Sequence, residues 1–501
     1  MAESVKLGLN LEVIREVDSR LMSYNVEMTE ITGGTFWKAY TKGQVEGKEE
    51  FPPLKSMMDM SNIMQVYPPI DLYNEKLRKL AKEFGPVWVR VSGTWATKTY
   101  YDFDGTTNGV VPEGYQSILT KEQWIGVLDF CKNINAKLLV SVNNCEGLHK
   151  ANEPWHPTQA KLLFDSAKEY GVPIEAAEFM NEPNMLAFSG APLGYTGKDY
   201  VRDQDLFIKW VRDNYPEVLL VGPCTVAMEG SFADEAGMGN AGGIVSMMGD
   251  NCTTDDLMDG SKEHFDVYSY HYYNGISDRL ASVMPAMHWH PDRTLSEAYL
   301  SVAPGAAKAS CPFRDKYVPN GQMWVTESGD AGGGGNSWAS TFMDVFRTLN
   351  ELGTFATITD GIIFHNTLAS SAYGFLEHGS FDPRPNYFAV LLWTKLMGDT
   401  VYNTNEPIRE GAHVFAHSRK DGKPGVAYLV INNSKEEVTT IDLPKEAEVY
   451  TLSASHLRSE VMLLNGKELV LKDNNELPDL TPVKKEGKLT LEPATCTFII
   501  L

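Results

Sequence analysis

The feature that most constrains this chain is a regular alternation of short apolar runs and helix-patterned stretches between about residues 20 and 396. Eight runs read as strands: Leu21–Glu27, Val87–Gly93, Lys137–Asn144, Ala176–Asn184, Val218–Cys224, Phe265–Tyr273, Met323–Gly329 and Gly361–Asn366. Several are apolar almost throughout, the pattern of parallel strands covered on both faces. Helix signals lie between them. Thr120 and Gln123 form a capping box for a helix reaching Asn133, Pro157 opens a helix that stops at Gly171, and Asn336 caps one that stops at Gly353. Eight strands alternating with helices is the count for a (β/α)8 TIM barrel, an α/β fold, here over residues 20–396. An open doubly wound sheet is the competing arrangement, but no GxGxxG follows a strand to support a dinucleotide site.

Beyond residue 397 the pattern changes. Short alternating runs (Val414–Ser418, Gly425–Asn432, Val438–Leu443, Val449–Leu452, Glu468–Leu471, Lys488–Leu491 and Thr497–Leu501) are separated by turn sequences such as Lys420–Lys423 and Asn465-Gly466. These favour tight hairpins and predict a C-terminal antiparallel β-sandwich over 397–501. Alternating Val5, Leu7, Leu9, Leu11 and Val13 predict that residues 1–19 add a strand to it. The stretches 225–262 and 274–320 are long for barrel loops, and long βα loops lie on the face where barrel enzymes bind substrate.

The formal net charge of −22 disfavours nucleic acid and works against long-range capture of a sulfated polyanion. No run of about 18 apolar residues predicts a membrane span. The N-terminus lacks a basic start followed by an apolar stretch, so no secretory signal is read. Six scattered cysteines without CxxC spacing read as buried free thiols. His288 and His290 bracket Trp289 without a third ligand, so neither a metal nor another cofactor is expected. The triplets Asn251–Thr253 and Asn432–Ser434 fit the glycosylation pattern at a frequency near chance.

Two predicted strands end on a glutamate backed by small or turn-forming residues: Ala177–Asn184, with Glu182, and Trp324–Gly329, with Glu327. Counted along the barrel these are strands four and seven, which puts both carboxylates at its C-terminal face. Two such acids are what glycoside hydrolysis needs, one to protonate the leaving oxygen and one to attack or stabilise the anomeric carbon. Asn181 precedes Glu182, where its amide can donate to a sugar 2-hydroxyl.

Asn-Glu-Pro on strand four with a glutamate on strand seven resembles the retaining (β/α)8 glycosidases. Arg90–Thr94, His271–Gly275, Glu327–Ala331 followed by Gly332–Gly335, and Phe381–Tyr387 resemble glycoside hydrolase family 79, the heparanase and β-glucuronidase family. The resemblance implies Glu182 as general acid/base and Glu327 as nucleophile, about 5–5.5 Å apart for retention. It implies Tyr272 as the hydrogen-bond donor to the nucleophile and Glu27 as an acceptor for a sugar hydroxyl. It also implies a carboxylate receptor made by the amides of Gly333 and Gly334 with a tyrosine hydroxyl. Gly332 stands where that tyrosine is expected, and Tyr373 is the candidate replacement. Trp95, Trp155, Trp289 and Trp338 fall in predicted loops or helix starts, as sugar platforms or as core.

The function expected is a retaining glycosidase cleaving a β-linked uronic acid, exo-acting, with a carbohydrate as its partner. The alternatives are a neutral-sugar xylosidase or glucosidase, a heparanase-like endo-β-glucuronidase, and a glycan-binding protein with a degenerate site.

Overall fold

The computed structural model describes residues 4–55, 60–186, 188–227 and 252–501. Eight parallel strands close into a barrel: β1 (Met22–Glu27), β2 (Val87–Ser92), β3 (Ala136–Ser141), β4 (Ala176–Glu178), β5 (Leu219–Val226), β6 (Val267–Tyr273), β7 (Gln322–Gly329) and β8 (Ile363–His365). Each pairs with its neighbours in chain order, and β8 closes on β1 through Ile363↔Met22 and His365↔Tyr24. The chain therefore forms the barrel, not the open sheet.

Alternation along the strands decides what each side chain meets. On β6, Tyr268, Tyr270 and Tyr272 point outward into the helix-packed core, while Val267 lies in a plug inside the barrel. That plug fills the N-terminal end with Trp88, Leu139, Val221, Trp324, Ile362 and Phe364, among others. Further along β2, Arg90 and Ser92 follow Trp88 at the same parity, so the same inward row turns polar toward the mouth.

The capping box at Thr120 and Gln123 is present, opening the helix Lys121–Asn133. The helix Ala160–Tyr170 ends on Gly171 at φ +83°, a left-handed cap that glycine adopts without steric cost. The predicted Asn336–Gly353 helix is displaced to Val345–Ile358. Asn336 instead donates its side-chain amide to Asp330 Oδ2, and Gly353 lies inside the helix, where a Cβ would collide with the Phe415 ring.

Phe415 belongs to the C-terminal β-region. There a nine-stranded sheet faces a three-stranded one. Val426, Tyr428 and Val430 fill the space between the two sheets, while Ala427, Leu429 and Ile431 pack against the barrel helices. The N-terminal segment contributes to both sheets. Val5–Lys6 runs parallel to Thr439–Asp442, and Val13–Glu16 pairs with Met397–Tyr402. The predicted Glu468–Leu471 strand shrinks to Lys467–Glu468, paired with Leu463–Leu464 across the Asn465-Gly466 turn.

None of the six cysteines forms a disulfide. Asn432 is buried and donates its amide to Glu437 and Glu492 carbonyls, which leaves it closed to a glycan, whereas Asn251 lies outside the described residues. Among the described residues no helix is long and apolar enough to cross a membrane.

Candidate active site

Neither glutamate is placed by regular strand geometry. The fourth strand stops at Glu178, short of the predicted Asn184, so Glu182 stands in the following loop. Its backbone is left-handed, at φ 47° and ψ 53°, and Pro183 behind it has no N–H to continue a ladder. A non-glycine residue in this region carries strain that its surroundings must hold. Here the Glu182 amide donates to Cys224 O at 3.2 Å, and the Ser189 hydroxyl donates to Glu182 O at 2.7 Å.

On β7, strict alternation from the inward Trp324 would turn Glu327 outward. The register against β6 slips between Tyr270↔Val325 and His271↔Glu327, leaving Thr326 as an extra residue. This bulge re-aims Glu327 into the mouth. Carboxylate oxygens of Glu182 and Glu327 and a ring nitrogen of His271 then lie within 4.8 Å of one another.

Arg90, fully buried on β2, contacts Glu327 directly and reaches Glu182 through His271. It pairs with Glu178 at 2.6 Å and with Glu327 Oε2 at 3.2 Å, and donates to Asn181 Oδ1 at 2.8 Å. It also stands 3.2 Å from His271 Nε2. A guanidinium only donates, so Nε2 accepts, and the ring proton sits on Nδ1, which donates to Glu182 Oε1 at 3.0 Å. The same contacts make the cluster a poor cation site, because an ion there would face the Arg90 charge.

These surroundings separate the acids. Burial pushes the Glu182 carboxyl up to about 7, with Arg90 opposing and Glu178 adding to the rise. Burial would also raise Glu178, but the Arg90 ion pair outweighs it and holds that carboxyl down at about 2. Burial drives His271 down to about 4, so it is neutral at pH 7. Glu327 accepts hydrogen bonds from the Tyr273 hydroxyl, from Asn366 Nδ2 at 3.3 Å and from Arg90. Those donors fix the orientation of its carboxylate in the mouth.

The tyrosine on Glu327 is thus Tyr273, not Tyr272. Parity on β6 turns Tyr272 out of the barrel, where its ring meets Phe355 edge-on and its hydroxyl donates to Asn274. Glu27, Asn181, Gly333 and Tyr373 all line the same cavity of about 810 Å³ as the two glutamates. Burial, then the nearby Glu327, push the Glu27 carboxyl well above the usual carboxylate range, with Arg90 opposing. Asn181 Oδ1 is taken by Arg90, which leaves its NH₂ for a ligand.

The glycine run turns sharply, with Gly333, Gly334 and Gly335 all at positive φ. Gly332 O accepts from Ser277 N, and Gly333 O from Ser277 Oγ and Arg279, both peptides being held at 2.9–3.0 Å. In a trans peptide the N–H points opposite to the C=O, so the amides of Gly333 and Gly334 face away from these partners. Neither donates to an acceptor among the described residues. Tyr373 packs beside the run, and its hydroxyl accepts from Asn366 at 3.0 Å while its own proton stays free.

Of the four tryptophans singled out, Trp95 lines the cavity, while Trp155 and Trp338 are core and Trp289 donates to Asn274 O. Sequence reasoning missed Trp37, which lies on the hairpin Gly34–Trp37/Met64–Tyr67 and walls the cavity beside Gly334. It also missed Arg279 and the roles of Arg90, His271 and Asn366. The available signal was a charged or polar residue at inward parity in an apolar strand, as in Val87-Trp-Val-Arg-Val-Ser92.

No family model matches the chain. It is 25% identical over 490 residues to heparanase-like protein 1 of Arabidopsis thaliana, covering 86% of this chain and 85% of that protein. It is 25% identical over 471 residues to the baicalin-β-D-glucuronidase of Scutellaria baicalensis, covering 86% and 83%. A solved 4-O-α-L-rhamnosyl-β-D-glucuronidase from Fusarium oxysporum shares the fold at a TM-score of 0.62 and 12% identity, over 99% of this chain and 100% of that one.

Proposed function

We propose that this chain, which belongs with the heparanase- and β-glucuronidase-like glycoside hydrolases of family 79, is a retaining enzyme that releases a terminal β-linked uronic acid, foremost glucuronic acid. The observation that carries this reading is the Glu182–Glu327 pair. Its carboxylate oxygens lie within 4.8 Å of one another, the close spacing of retention. One carboxyl is lifted to about 7 and the other is surrounded by donors.

In the first step Glu327 attacks the anomeric carbon and its carboxylate becomes a glycosyl ester. The bond to the leaving oxygen breaks, and Glu182 gives that oxygen its proton. In the second step the Glu182 carboxylate takes a proton from water, whose oxygen displaces Glu327. His271 Nδ1–H stabilises the Glu182 anion formed between the steps.

A uronic acid is favoured by the unpaired amide of Gly333 and the Tyr373 hydroxyl, which both belong to residues lining the cavity, with the unpaired Gly334 amide one peptide further on, donors able to hold a carboxylate without a basic side chain. Exo-action is favoured by the wall on that side. Trp37 lies so close to Gly334 that a Cβ there would come within 2.6 Å of it, and Arg279 ties Lys38 O to the glycine run. Among the described residues lining the cavity, Lys98 is the single ammonium against three glutamates, and most of the rest are apolar. That lining suits an uncharged or apolar leaving group better than a sulfated chain.

The test is a panel of aryl β-glycosides followed by proton NMR. The expected result is preferred turnover of the glucuronide with the β-anomer formed first. Preferred turnover of the xyloside or glucoside would select the neutral-sugar reading, which Gly332 in the tyrosine position favours. No turnover of any aryl glycoside would leave a binding protein.

A further inference from the structure

We propose that Arg279 is the positioning residue that sets preference for an anionic sugar, acting through the glycine run without touching the substrate. This rests on the uronic-acid reading above. Arg279 is fully buried and forms no ion pair among the described residues. Its guanidinium is spent on oxygens: Lys38 O at 2.6 and 2.9 Å, Gly333 O at 3.0 Å, Gly335 O at 2.9 Å and Tyr40 Oη at 3.1 Å. It also lies 3.9 Å from the centroid of the Tyr40 ring. The adjacent Asp278 turns elsewhere, to His288 Nε2 at 2.6 Å and Ser337 N at 2.8 Å. Asp330, beside Gly335, is bound to Asn336 N and Nδ2.

A buried cation without a carboxylate partner is costly unless its geometry is used. Two consequences make it useful here. By gripping the Gly333 carbonyl, Arg279 fixes the peptide whose other end is the Gly334 N–H, so that amide is held pointing away from the guanidinium. Ser277 holds both peptides, the earlier one through its amide on Gly332 O and the one gripped by Arg279 through its hydroxyl on Gly333 O. The charge then lies behind the amides, where a low-dielectric surrounding lets it act on an anion at the cavity without a direct contact. Three positive-φ glycines in a row form no such receptor unless their peptide planes are fixed.

The experiment measures kcat and KM of the full chain and of its Arg279→Lys, Arg279→Met and Ser277→Ala variants on an aryl β-glucuronide and the matching aryl β-glucoside, with thermal unfolding as control. For Arg279→Met the glucuronide KM is expected to rise on the order of 10–100-fold, the scale of one or two charge-assisted hydrogen bonds, while glucoside kcat/KM stays within about threefold. Arg279→Lys should fall between, because it keeps the charge and loses the fork. Ser277→Ala should shift the glucuronide-to-glucoside ratio in the same direction by a few-fold, and it decides the matter if the Arg279 variants do not fold. Equal losses on both substrates, or an unchanged ratio in Ser277→Ala, would overturn the proposal. If the unaltered protein turns over glucoside in preference to glucuronide, the uronic-acid reading itself has failed.

Discussion

The two ends of the barrel interior are built from the same strands and solve opposite problems. At the N-terminal end Trp88, Trp324, Phe364 and their neighbours close a dry plug. Toward the C-terminal end the same inward rows carry Arg90, Glu178 and His271, and Glu182 and Glu327 join them at the mouth, all buried. The plug is assembled by regular alternation alone. The mouth needs departures from it: a left-handed Glu182 and a bulge at Thr326 that turns Glu327 inward. Stability therefore resides where the geometry is regular, and chemistry where it is broken.

The comparison breaks most sharply at Glu327. Glu327→Gln should lower kcat by ~10²–10⁴ or more with little change in the unfolding midpoint, measured by steady-state kinetics beside thermal unfolding. The mirror experiment at the plug is Trp324→Ala. It should cost about 3–5 kcal/mol in denaturant unfolding while kcat, measured below the transition, stays within a few-fold. Equal effects of both substitutions on both readouts would abolish the distinction between the two ends.

The neighbouring tyrosines of β6 sharpen it. Tyr273→Phe removes a donor to Glu327 and should lower kcat on the order of 10-fold or more. Tyr272→Phe should leave kcat unchanged and cost only about 1 kcal/mol of stability. The last effect is that of pH. Glu182 must carry its proton to release the leaving group, and its carboxyl is lifted to about 7. The rate of the first step should thus hold below that pH and fall about tenfold per unit above it, as read from kcat/KM on a poorly leaving alkyl glucuronide. Glu182→Gln should abolish this limb.

The strands were legible because parallel barrel strands are apolar on both faces, and both glutamates were legible because turn-forming residues follow them. The C-terminal hairpins announced themselves in Asn465-Gly466 and Lys420–Lys423. What stayed hidden depended on parity and on long-range contact. An apolar strand reads the same in either phase, so Tyr272 and Tyr273 could not be told apart without the His271↔Glu327 register. Arg279 touches Lys38, Tyr40, Gly333 and Gly335, residues from two distant stretches of chain, and no local pattern marks a guanidinium that serves carbonyls. The helix expected to end at Gly353 went wrong for the same reason. That glycine answers to Phe415, not to a helix terminus.

The most direct test of the account is to trap the covalent intermediate. A 2-deoxy-2-fluoro-β-glucuronyl fluoride slows the second step more than the first, and peptide mass mapping then locates the ester. The account predicts a single fluoroglucuronyl adduct on Glu327, formed in step with loss of activity. An adduct on Glu182, or turnover with inversion and no adduct, would contradict it.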